Sequence, residues 1–142
     1  MTGNNDLQSF VRLQVLDLHL KDGLERLGKI RRIESMMLVP NLKQLNLSYN
    51  AIVRIEGLES LHSLVELNLA ENGITKIENL ECLKVLERLN LSGNQISRLP
   101  ESISALKMLN NFRIARNQLD VVKDLYHLRS LGNSYILTSF TL

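Results

Sequence analysis

The sequence predicts an α/β solenoid, a curved stack of short repeated units with one parallel sheet on its concave side and 3₁₀ or short α-helical returns on its convex side. Three observations carry this. Asn50, Asn72, Asn94 and Asn117 recur every 22 or 23 residues. Before each stands an apolar–polar–apolar run (Leu45 to Leu47, Leu67 to Leu69, Leu89 to Leu91, Phe112 to Ile114), the alternation of a strand with one buried face. After each, apolar residues follow at roughly three-residue steps, as in Ile52, Ile55, Leu58 and Leu61, the spacing of a helical return. Units of this kind cannot bury their apolar faces alone, so the stack is the folding unit.

Taken in order, residues 1–12 are a lead-in, and Leu13, Leu16 and Leu18 open an irregular first unit over 13–41. Ile30, Ile33 and Glu34 match Ile52, Ile55 and Glu56 only after an insertion, because Leu13 to Leu42 spans 29 residues, seven more than 22. The insertion carries Lys21, Arg26, Lys29, Arg31 and Arg32 against Asp22 and Glu25, a solvated loop in the simplest reading. Regular units follow at 42–63, 64–85, 86–108 and 109–130. In each, the asparagine amide is expected to satisfy backbone groups of the neighbouring coil that burial would otherwise leave unpaired. Glu56 and Glu78 read as first-turn carboxylates favoured by a helix dipole. Pro100 in the longer third unit also suits a helix start. Residues 131–142 make an incomplete last unit, with Leu131 and Ile136 in place but Ser134 and Ser139 where an apolar residue and the asparagine belong. Residues 1–142 together read as one domain.

The composition is ordinary for a globular chain, 44% hydrophobic and 23% charged, and its 4% aromatics suit a core of stacked aliphatic layers. A net charge of +2 gives no electrostatic reason to expect nucleic acid or an anionic membrane. One cysteine, Cys82, excludes an internal disulfide and is expected to behave as a partly buried small apolar residue. The start lacks an apolar signal region, and no stretch approaches the roughly 20 apolar residues that cross a bilayer. A reducing, intracellular setting is therefore expected. His19, His62 and His127 fall in different units, and no carboxylate pair, metal-ligand spacing or phosphate loop accompanies them. The expectation is no catalytic residue, no cofactor and no metal. Glu34, Glu56 and Glu78 align, but one unit apart they read as helix-start residues.

These residues resemble the leucine-rich repeat superfamily, and Ile55-Glu56-Gly57-Leu58 with Ile77-Glu78-Asn79-Leu80 resembles its 22-residue "Ile-Glu" subfamily. That subfamily includes a regulatory subunit of type 1 protein phosphatase, axonemal and ciliary assembly proteins, a tubulin-folding cofactor and centrosomal proteins. Leu42-Lys-Gln-Leu-Asn-Leu-Ser-Tyr-Asn50, the insertion ending in Ile30-Arg-Arg-Ile33-Glu34, and Leu99-Pro100 look most like the N-terminal repeats of centriolin-like centrosomal proteins. The resemblance implies a non-catalytic protein-binding scaffold in the cytoplasm, at a centrosome or cilium, with the nucleus as an alternative. Nothing after Asn117 matches the family's usual capping motif and no coiled coil follows, so the chain reads as a fragment or truncated isoform of a longer protein. The alternatives are a phosphatase regulatory subunit, whose palm is expected to be acidic and aromatic, and a ribonucleoprotein platform.

Strand alternation lines the concave palm with three columns: Gln44, Glu66, Arg88 and Asn111; Asn46, Asn68, Asn90 and Arg113; Ser48, Ala70, Ser92 and Ala115. Tyr49, Glu71, Gly93 and Arg116 flank them at the strand exits. The asparagines are expected to offer donors and acceptors alike to a protein partner. Tyr49, Arg113 and Arg116 lead the contact set, because aromatic and Arg side chains dominate interface hot spots. No small-molecule substrate or membrane is expected, and the basic insertion from Lys21 to Arg32, without interleaved aromatics, lacks the stacking surfaces that single-stranded nucleic acid needs.

Overall fold

The computed structural model describes residues 12–20 and 28–120. Expectations for the lead-in up to residue 11, for the insertion residues Lys21, Asp22, Glu25 and Arg26, and for everything after Asp120, including His127 and the incomplete last unit, lie outside the described residues.

Among the described residues five three-residue strands form one parallel sheet in chain order: β1 (Val15–Asp17), β2 (Gln44–Asn46), β3 (Glu66–Asn68), β4 (Arg88–Asn90) and β5 (Asn111–Arg113). Register follows the repeat, with Leu16, Leu45, Leu67, Leu89 and Phe112 as successive partners. Strand pairing continues past the strands themselves: the Leu47 N–H donates to the Asn68 carbonyl and the Leu69 N–H to the Asn90 carbonyl, both at 2.8 Å. Only alternate strand residues face inward, so the middle residues of β2 to β5 are buried while their neighbours stay open to solvent.

The core is a set of ladders running along the stack. Leu42, Leu64 and Leu86 form one, Leu47, Leu69 and Leu91 another, and Ile52, Ile74 and Ile96 a third, every member fully enclosed. The irregular first unit joins them because Ile33, Met36 and Val39 are buried in the same cluster, with Ile30 packed against it. Each enclosed Leu or Ile contributes about 1.5–3 kcal/mol through removal of its apolar surface from water. Because every ladder rung touches the rungs above and below, this stabilisation belongs to neighbouring coils jointly.

The returns correct one expectation. Among the described residues only Met36–Leu38 and Glu101–Ala105 are 3₁₀ turns, and no helix forms over 51–63 or 73–85. In those two units the return runs through left-handed residues, Gly57 (φ 73°) and Asn79 (φ 60°), which interrupt any helix. Glu56 and Glu78 are consequently not helix-start residues. Their carboxylates accept from Arg32 Nε (3.0 Å) and Arg54 Nε (3.3 Å) of the preceding coil. Pro100 does open a helical turn, as the residue immediately before Glu101–Ala105, in the unit that has one residue to spare.

Candidate functional site

The asparagine after each strand holds adjacent coils together. Asn94 accepts the Ile74 N–H on Oδ1 at 3.0 Å and donates from Nδ2 to the carbonyls of Leu69 and Leu91, both at 3.0 Å. Asn72 repeats this between Ile52 and Leu47, Asn117 between Ile96 and Leu91, and Asn50 between Ile30 and Leu18. Each amide therefore needs both a donor and an acceptor, and asparagine is a side chain of this length that carries both. The ladder fixes the strand exits from which the palm projects.

On the palm, register aligns Gln44, Glu66, Arg88 and Asn111 in one column and Asn46, Asn68, Asn90 and Arg113 in the next. β1 adds Val15 and Asp17 to these columns. The sequence reading left both out, although carrying the Leu13, Leu16, Leu18 alignment onto the columns finds them. Glu66 accepts from Arg88 Nε at 3.1 Å along the first column, and Asp17 pairs with His19 within β1's coil.

The asparagine column differs from expectation in its chemistry. Asn46 Oδ1 accepts the Ser48 N–H (3.1 Å) and hydroxyl (2.8 Å), Asn68 Oδ1 accepts the Ala70 N–H (3.1 Å), and Asn90 Oδ1 accepts the Ser92 N–H (3.1 Å). A backbone N–H can be accepted only by the amide oxygen, so the assignment of oxygen and nitrogen is fixed. Each oxygen is held at its own strand exit, by two donors at Asn46 and by one at Asn68 and Asn90, which leaves the Nδ2 donors as the larger part of what these amides offer the palm. Arg113 continues the same column with further donors.

Tyr49, Glu71, Gly93 and Arg116 adopt left-handed backbone, with φ of 60°, 55°, 70° and 54°. A lone glycine in an aligned column was the sequence signal for this conformation, since glycine alone takes it without strain. Arg116 forms an ion pair with Glu71, two coils away, and the pair passes over Gly93. A Cβ at Gly93 would lie within 2.8 Å of Glu71 Oε2 and would block that crossing.

Beneath these exit residues the palm encloses a hollow of about 440 Å³, whose floor is small (Ser48, Ala70, Ser92, Ala115) and whose rim is polar (Tyr49, Glu71, Arg113, Arg116). Smaller hollows of about 120 and 160 Å³ lie between β3 and β5 and between β1 and β3. The convex side holds Cys82, whose Sγ donates to the Leu58 carbonyl at 3.6 Å. Burial pushes its thiol pKa up, and the Glu59 and Glu81 carboxylates add to the rise. Among the described residues no three metal-ligating side chains come together, and no helix is long and apolar enough to cross a membrane.

Two family models match the chain: leucine-rich repeats in two copies over residues 40–84 and a single leucine-rich repeat over 85–106. Among curated proteins none matches. Among solved structures, the chain is similar to the functional domain of InlJ from Listeria monocytogenes, described with a cysteine ladder (TM-score 0.62, 20% identity, 87% of this chain and 24% of that one). It is also similar to internalin C2 from Listeria monocytogenes strain 4b F2365 (0.63, 24% identity, 92% and 63%) and to TLR13 in its complex with ssRNA13 (0.64, 26% identity, 72% and 16%). The chain thus spans less than two thirds of each of these three. Matched repeats over residues 40–106 and a sheet that grows by one parallel strand per repeat agree, and the chain folds as a leucine-rich repeat solenoid.

Proposed function

We propose that the chain is a protein-binding module that takes its partner on the concave face and does no chemistry of its own. The observation that carries this reading is the 440 Å³ hollow, because it joins a floor of small side chains to a rim of exposed Tyr and Arg. The core is made of interlocked ladders, so the palm is presented by a rigid wall that does not have to be ordered when a partner arrives. The resemblance to centriolin-like and other Ile-Glu proteins supports a scaffold or adaptor role at the centrosome, the cilium or the cytoskeleton, in the cytoplasm. The phosphatase-regulator reading ranks lower, since the palm is led by Asn, Ser and Arg.

The test is proximity labelling in ciliated cells with the wild-type chain, a concave variant and a convex variant. Arg113→Glu should remove the labelled partners while its melting temperature stays within about 2 °C, because Arg113 is exposed and outside the core. Arg54→Glu, on the convex side, should leave them. Loss with Arg54→Glu and retention with Arg113→Glu would overturn the concave-face reading. A second reading, an RNA-binding surface, is favoured by the likeness to TLR13 crystallised with ssRNA13. Partners that disappear on ribonuclease treatment would select it.

A further inference from the structure

The hollow under the strand exits is selective in charge. Asn68 and Asn90 have their oxygens engaged by backbone N–H groups, so both turn Nδ2 donors to the palm, and Arg113 extends their column by one strand. Arg113 has no ion-pair partner among the described residues. Among the described residues that line the hollow the one carboxylate is Glu71, against the two guanidinium groups of Arg113 and Arg116. Glu71 lies over Gly93 against Arg116, held there by an intramolecular ion pair that the missing side chain at position 93 makes room for.

We infer that the partner segment taken by this hollow is acidic, and that Glu71 is a resident competitor that occupies Arg116 until a partner carboxylate replaces it. The inference rests on the concave-face reading. Donors on successive strands stand about 4.8 Å apart, and the three strand steps from the Tyr49 coil to the Arg116 coil cover about 14 Å, the length of roughly four extended residues. A short run of Asp or Glu thus meets Asn68, Asn90 and Arg113 in turn and ends on Arg116. Charge-assisted bonds from guanidinium to carboxylate are stronger than neutral ones, so the arginines set the preference for an anion. RNA phosphates share the negative charge. Tyr49 is, however, the one exposed aromatic ring of Phe, Tyr or Trp type among the described residues, and a nucleic-acid groove needs several to stack bases.

The experiment is fluorescence anisotropy of a labelled, end-blocked hexaglutamate peptide titrated with the full 142-residue chain, with hexalysine and hexauridylate as parallel probes. Hexaglutamate should bind in a salt-sensitive manner and hexalysine should not. Arg113→Gln should weaken binding about fivefold or more, and Arg113→Lys should restore part of it. Glu71→Gln should tighten binding about threefold or more, because Arg116 is released. The double variant Glu71→Gln/Arg116→Gln should lose that gain, which separates the loss of Arg116 from the exposure of an unpaired Glu71. All four variants touch exposed or half-exposed side chains and should melt like the wild type. Weaker binding by Glu71→Gln, or hexaglutamate binding no tighter than hexalysine, would overturn the inference. Hexauridylate bound through Arg113 in the absence of hexaglutamate binding would overturn it in favour of nucleic acid. If hexaglutamate fails while Arg113→Glu still removes the labelled partners in cells, the acidic occupant is wrong and the concave face stands.

Discussion

A single amide decides how two coils meet. Asn94 is buried, accepts the Ile74 N–H, and donates to the Leu69 and Leu91 carbonyls, which it shares with Asn72 and Asn117 of the neighbouring coils. Asn94→Ala should therefore cost about 1–3 kcal/mol, the penalty of leaving the Ile74 N–H unsatisfied while both carbonyls keep one amide donor each. Asn94→Asp should cost more, because a carboxylate cannot donate and would face the Leu69 and Leu91 carbonyls with its charge. Chemical denaturation of both variants measures the order; an aspartate variant more stable than the alanine one would contradict the ladder. At the same scale, Cys82 should be a slow thiol. Its pKa is raised, first by burial and then by Glu59 and Glu81, so less thiolate is present at pH 8 than on an exposed cysteine. Iodoacetamide should modify it more slowly than it modifies free glutathione. The sign for stability follows: as pH rises through the ordinary thiol range the unfolded chain ionises first, and stability falls. A Cys82 that reacts faster than glutathione at pH 8 would contradict the burial.

At the scale of the element, the returns are set by backbone shape more than by helix propensity. Gly57 sits in left-handed conformation with the Ile33 carbonyl carbon 3.1 Å from where a Cβ would stand. Gly57→Ala should destabilise the protein by about 1–3 kcal/mol from strain alone, with the steric clash added. Gly73→Ala, where the added methyl would meet Val53 Cγ1 at 3.4 Å, is an ordinary contact and should have little effect. Thermal melts of the two variants decide the point, and equal shifts would show that the return tolerates a side chain. The ion pairs of Arg32 with Glu56 and Arg54 with Glu78 add little here, because their arginines are exposed and such pairs are worth about 0–1 kcal/mol.

At the scale of the whole molecule, stability is a sum of interfaces between neighbours, so it should vary along the stack. β3 and β4 have a strand on each side, and their central leucines are fully enclosed, whereas Leu16 of β1 is only partly buried. Hydrogen exchange should find the amides of Leu67 and Leu89 protected by at least tenfold more than that of Leu16, as expected when end coils open before the interior. Uniform protection from β1 to β4 would mean that the stack opens as one unit. The same stacking makes the palm a fixed surface, so substitutions on it should change binding without changing the fold.

The sequence by itself determined the period, the ladders, the parallel sheet and which residues line the palm, because a repeated pattern of alternation can be satisfied in one way only: by layering equal units in register. Val15 and Asp17 were legible on the same rule. What only the tertiary structure decided are the contacts between coils, which no single unit contains. It showed that Glu56 and Glu78 answer arginines of the preceding coil, where a helix had been expected, and that the palm asparagines turn donors outward because their oxygens hold the strand exits. It also placed Glu71 against Arg116 across a glycine, a pairing of residues 45 positions apart that follows from the curvature and spacing of the stack and from no local signal.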